Sequence, residues 1–290
     1  MSEGPPNASA PLRSEPVAGD ADDTRGRHFK QLLRSRGAVL GGATAALVAA
    51  IAVAATLGPV YSPLAVLAVV LITVIVCFAV ADSRAEDDFF RGYAEARGLR
   101  WDDERGGIAP ATPLLRRGDK RRTDLELHGR WPGGFEGQIA YYTYTEVTHD
   151  SKGRRDETDY EFTVALTEVP EVAPYLKELS AQRRAGFRFL DGAEDAFRTR
   201  QRVEHESEAL DRRFEIFIDQ RDDMNRALQV LEPSFVVWLA EHTPDDFAFE
   251  CVAGTLVTAV RGQRSSAAEL DELAEASFAV ATRLREEASE

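Results

Sequence analysis

The chain has 290 residues, with 49 acidic against 35 basic side chains, a net charge of −14 and two cysteines. So acidic a surface repels phosphate, which argues against sequence-independent binding of DNA or RNA over the whole molecule. Two distant cysteines, Cys77 and Cys251, rule out a disulfide framework or a CxxC metal site.

Residues 1–24 are rich in Pro, Ala, Ser, Gly and Asp, with almost no large apolar side chain. Such a segment cannot bury enough surface to offset the entropy of ordering it, and is expected to be a disordered tail. The run RGRHFKQLLRSR at 25–36 then places Arg25, Arg27, Lys30, Arg34 and Arg36 just before the first apolar stretch. By the positive-inside rule the N-terminus is expected in the cytoplasm.

From Ala38 to Ala81 there is no Asp, Glu, Lys, Arg or His. The stretch holds two apolar runs, Ala38–Leu57 and Leu64–Ala81, joined by Gly58-Pro59-Val60-Tyr61-Ser62-Pro63. A helix needs about 20 apolar residues to cross roughly 30 Å of hydrocarbon, so the sequence predicts a transmembrane helical hairpin. Ala52-Val53-Ala54 has the form of a signal-peptide cleavage site. A long leader before the apolar run and a second run right after it weigh against cleavage. With both helices crossing, the linker faces outward and the N- and C-termini are cytoplasmic, which puts a multi-pass protein in a bacterial cell membrane. Ser62 and Pro63 suit the cap and first turn of the second helix.

Gly37, Gly41, Ala45 and Ala49 recur every four residues and leave one side of the first helix almost without side chain. Small rows of this kind let another backbone approach closely in lipid. The neighbour is either the bulky second helix or, less favoured, another membrane protein or a second copy of the chain.

The tail carries six basic against five acidic side chains and the hairpin none, so the excess acid falls on residues 82–290. There an amphipathic helix is expected first, with Phe89, Phe90, Tyr93 and Ala94 on one face and Gly98 at its end. The following stretch to Arg122 reads as irregular, apart from a turn of helix at Thr112-Pro113-Leu114-Leu115. Alternation at Ile139, Tyr141, Thr143, Thr145 and Val147, and at Tyr160, Phe162, Val164 and Leu166, predicts a β-hairpin around the polar loop HDSKGRRDE. Val172, Tyr175 and Leu176 suggest a helix, and Phe187, Phe189 and Leu190 a strand. Phe214, Ile216 and Ile218 give another strand. Two helices follow, DDMNRALQVL and PSFVVWLAEH, and then a second hairpin around Gly254. The last helix opens on the capping box Ser266-Ala-Ala-Glu269. These elements predict an α+β domain with a mainly antiparallel sheet, the alternative being a small barrel capped by the C-terminal helix.

The stretch from Glu204 to Arg261, especially EHESEALDRRFEIFIDQRDDMNRALQVLEPSFVVWLAEH, resembles an uncharacterised bacterial family of membrane-anchored proteins with a domain of unknown function. ATPLLRRGDKRR and GRWPGGFEGQIAYYTYTE resemble its actinobacterial members. The resemblance implies two membrane helices before the domain, and it implies no activity, cofactor or catalytic residue.

None of the five histidines lies in HExxH or in Cys/His metal spacing. His205, Glu206, Glu208 and Asp211 come nearest to a metal cluster and read better as a solvated acidic edge. There is no G-x-S-x-G or phosphate-binding glycine loop, and Cys251 reads as core, so no catalytic, metal or cofactor-binding residue is expected. One group stands out: Arg116, Arg117, Lys120, Arg121 and Arg122, five positive charges broken only by Asp119. Close to a membrane's inner face such a cluster can hold anionic headgroups, while as an exposed loop it would simply pair its charges. Arg198, Arg200 and Arg202 offer a second basic row, or partners for nearby acids. The chain therefore reads as a non-catalytic scaffold or sensor at the cytoplasmic face. A membrane-associated enzyme acting near lipid, or an accessory subunit of a membrane complex, are the alternatives.

Overall fold

The computed structural model describes residues 67, 71, 87–102, 107–131, 134–149, 153–183, 200–203 and 214–289. The expected small row at Gly37–Ala49, the expected strand at 187–190 and the acidic edge at 205–211 lie outside these residues, as does the expected hairpin apart from Leu67 and Leu71. The chain divides into two compact units, residues 17–93 with 265–267, and residues 1–16, 94–264 and 268–290.

In the first unit Leu67 and Leu71 are helical and exposed. Among the described residues no helix is long and apolar enough to cross a membrane. Helix α1 (87–97) begins here and brings Phe89, Phe90 and Tyr93 together as expected, with ring centroids 4.9 Å apart for the phenylalanines and 6.3 Å for Phe89 and Tyr93. It stops at Gly98, whose φ of +66° is the left-handed conformation that glycine adopts freely. The Leu99 N–H then reaches back to the Ala94 carbonyl at 2.8 Å, closing the turn as helix C-termini commonly do.

Among the described residues the second unit is built on one nine-stranded sheet. Its strands are β1 (Arg100–Asp102), β2 (Lys120–Arg130), β3 (Glu136–His149), β4 (Arg155–Glu168), β5 (Glu178–Arg183), β6 (Arg200–Arg202), β7 (Phe214–Asp219), β8 (Ala248–Val252) and β9 (Thr255–Arg261). The spatial order is β1-β2-β3-β4-β9-β8-β5-β7-β6, and every pair is antiparallel. The α+β expectation holds. The barrel alternative does not: β1 and β6 lie at opposite ends of the order and do not pair, so the sheet stays open.

Period-two alternation gives the sheet two different faces. One face carries Tyr141, Thr163, Ala181 and Phe249 and meets helices α4 (Pro233–His242) and α5 (Ala267–Ser289), with α3 (Met224–Val230) packed beside α5. Arg183 reaches from β5 to the C-terminal end of α4, donating to the Leu239, Ala240 and Thr243 carbonyls at 3.3, 3.1 and 2.7 Å. A cation there satisfies orphan carbonyls and opposes the helix dipole. α5 buries Leu270, Leu273, Val280 and Leu284, and its Phe278 meets Phe135 edge-on at 5.4 Å. Asp271 of α5 also takes the Arg97 guanidinium in a bidentate pair.

The second face carries Ala140, Tyr142, Tyr144, Phe162, Val164, Val257 and Ala259. Its lid is the one-turn helix α2 (Pro113–Arg116), which inserts Leu114 and Leu115 among them. The Tyr142 hydroxyl donates to the Leu115 carbonyl at 3.1 Å and fixes the lid in place.

The turn between β8 and β9 is two residues long, Ala253 at φ 49° and Gly254 at φ 86°, the paired left-handed geometry that matches strand twist. A Cβ on Gly254 would lie 2.9 Å from the Pro170 Cα, a backbone atom with no room to yield. Gly254→Ala is expected to cost about 1–3 kcal/mol, measured by urea unfolding of the full chain, whereas Ala253→Gly does not destabilise it.

Candidate functional site

The basic group falls on the join of α2 and β2. Strand alternation splits it: Arg121 stands opposite Tyr144 on the α2 face, while Lys120 and Arg122 point to the other side. Lys120 binds both Glu157 oxygens at 2.9 and 2.8 Å, and Arg122 binds Asp124 at 2.8 Å. Arg116 donates to the Pro110 and Ala111 carbonyls, and Arg121 to the Arg116 carbonyl at 2.7 Å. Arg117 lies over the Tyr144 ring, 5.8 Å from its centroid. Carboxylates thus balance Lys120 and Arg122, while Arg116 and Arg121 meet only carbonyl oxygens among the described residues.

Beside α2 the same face opens into a trough of about 580 Å³. Its floor follows one cross-strand row: Arg100 pairs with His128, His128 with Gln138, and Gln138 with Leu166. Ile108, Ala109 and Ala111 also line it. His128 is held by its Nε2, 3.1 Å from Glu126 Oε2. The Glu126 carboxylate is itself anchored by the Gly107 N–H at 3.1 Å. The other acids at the rim are engaged as well, Glu136 by Arg130 at 3.3 Å and Glu168 by the Thr255 hydroxyl.

Further along the same face lies a buried ionic group. Glu250 of β8 is 1% exposed, and its Oε2 accepts the Leu114 N–H of α2 at 2.9 Å. Glu178 of β5 forms an ion pair with Arg200 of β6, whose side chain is 3% exposed. Burial pushes the Glu250 carboxyl above the ordinary glutamate range, the Glu178 charge adds to this, and the Leu114 amide, Thr112 hydroxyl and Arg200 charge pull it back. Arg200 is paired with Glu178, and its charge also acts on Glu250. The expected surface row therefore loses Arg200, which is an interior counter-ion.

Cys251 offers the catalytic alternative no accessible nucleophile. Cys251 is 1% exposed, and burial raises its thiol to about 12, far from a reactive thiolate. Among the described residues no three or more His, Cys, Asp and Glu side chains group as metal ligands.

No family model and no curated protein matches the chain. Among solved structures, the crystal structure of the mycobacterial trehalose monomycolate transport factor A, TtfA, is similar over 67% of this chain and 92% of its own, at 12% identity and a TM-score of 0.43. At that level of likeness, any function has to be argued from this chain's own residues.

The trough residues carried a weak signal in sequence, because a lone His128 between Glu126 and Arg130 is ordinary for a strand edge. Glu250 carries a stronger one, an acid between Phe249 and Cys251 in an otherwise apolar hairpin strand.

Proposed function

We propose that the chain is a two-helix membrane protein whose α+β unit works at the cytoplasmic face as a non-catalytic scaffold or sensor. The observation that carries this is the pair of uncharged runs 38–57 and 64–81, preceded by five basic residues within the reach of the positive-inside rule. Burial of Cys251 supports a binding role over nucleophilic chemistry. Arg116 and Arg121, not neutralised by described carboxylates, are the members of the basic group best suited to anionic headgroups, each contributing about 1 kcal/mol at an anionic surface.

Topology tests the reading directly. In a chain with Cys77→Ala and Cys251→Ala, an impermeant maleimide should label Tyr61→Cys in intact cells. Ser289→Cys should react only after the cells are opened. Labelling of Ser289→Cys from outside would sink the proposal.

A further inference from the structure

The trough on the α2 face has a polarity of its own. Along its floor row the side chains run guanidinium, imidazole, carboxamide and isobutyl: Arg100, His128, Gln138, Leu166. Adjacent residues in a cross-strand row lie about 4.5–5.5 Å apart, so the three polar groups form one continuous edge, and the apolar part begins where they end. Ile108 and Ala109 also line the trough, and Ile108, like Leu166, packs against the apolar cluster of this face. The charges at the polar end are unequal. Glu126 is bound to His128 and the Gly107 amide and Glu136 to Arg130, while Glu168, two residues beyond Leu166 on β4 and so at the other end of the row, is held by the Thr255 hydroxyl. Arg100, by contrast, is exposed and meets no carboxylate among the described residues. The volume, about 580 Å³, is within the roughly 300–1,000 Å³ of small-molecule sites.

We propose that this trough binds a single-chain anionic amphiphile. Its carboxylate or phosphate head is set against Arg100 and Gln138 beside His128, and its alkyl chain lies over Leu166 and Ile108. A guanidinium is the side chain best shaped to take either oxyanion through two hydrogen bonds. A neutral headgroup leaves Arg100 unused, and an anion without a chain leaves the apolar half wet. An amphiphile of this kind uses both halves of the trough, whatever the membrane topology of the chain.

The test uses the full chain in amphipol and a nonanoate probe with a terminal diazirine. Photocrosslinks are expected in peptides containing Ile108 or Leu166, and octanoate or octyl phosphate should compete with them. Competition by octanoate alone selects a carboxylate ligand, and competition by octyl phosphate alone selects a phosphate. Octanol and inorganic phosphate should compete at least tenfold more weakly. Arg100→Ala should reduce the crosslink about tenfold, and Arg155→Ala, outside the trough, should leave it unchanged. The proposal is overturned by crosslinks confined to residues 38–81, by equal competition from octanol, or by a full-strength crosslink in Arg100→Ala.

Discussion

Arg200→Met is expected to destabilise the sheet unit by about 3–5 kcal/mol, the range found when one member of a buried ion pair is removed. The side chain is 3% exposed and is the ion-pair partner of Glu178, while its charge also draws down the carboxyl of Glu250. Methionine matches much of the arginine stem but leaves the buried Glu250 and the part-buried Glu178 without this cation. One must then take up a proton or draw in water, and either response costs free energy. The loss should be greatest at neutral pH and above and should shrink in acid, where protonation relieves the repulsion. Urea unfolding of the full chain, read by tryptophan fluorescence across pH, measures both quantities. A loss below about 1 kcal/mol with no pH dependence would show that Glu178 and Glu250 do not rely on Arg200. Arg200→Lys should fall between the two, keeping the charge but losing the planar fork.

How much of this was legible in the sequence depends on how regularly each element alternates. β3 and β4 were visible because Ile139 to Val147 and Tyr160 to Leu166 keep a clean period of two, and the structure pairs Tyr142 with Phe162 and Ala140 with Val164 as that period requires. β2 was not visible. Its register shifts between Thr123 and Leu125, so Thr123 faces α2 while Leu125 and Leu127 face the helices, and no single alternation spans the strand. Its first three residues, Lys120, Arg121 and Arg122, also look like loop when read for charge alone. β5 (ELSAQR) was hidden for another reason: Ser180 and Gln182 are fully buried polar residues, the opposite of what burial ordinarily selects. The helix expected around Val172 and Tyr175 shrinks to a 3-10 turn at Pro170–Val172. The ionic group was out of reach for a topological reason. Residues 178, 200 and 250 come near one another only because β8 and β5 are neighbours and β6 is placed two strands beyond β5.

The same group predicts a change of opposite sign at Glu250. Burial holds its carboxyl above the ordinary glutamate range, so between the unfolded and folded values the native state binds more protons than the unfolded chain. Stability therefore falls as pH rises from the ordinary glutamate range through the raised value, and below that range Glu250 contributes no pH dependence. Glutamine has the same shape, and its amide oxygen can still accept the Leu114 N–H that Glu250 accepts at 2.9 Å. What it removes is the excess charge, leaving Glu178 and Arg200 as a balanced pair. If Glu250 is ionised in the native state, Gln abolishes its desolvation penalty. If it is protonated, Gln abolishes the cost of taking up that proton. In both cases Glu250→Gln should raise stability at pH 7 by about 1–3 kcal/mol and flatten the decline toward high pH. Glu250→Ala lacks the acceptor and leaves a void under α2, so it should destabilise instead. A Gln variant less stable than the parent at pH 7, with its pH slope intact, would mean that the carboxylate is worth more to the α2 lid as an anion than its burial costs.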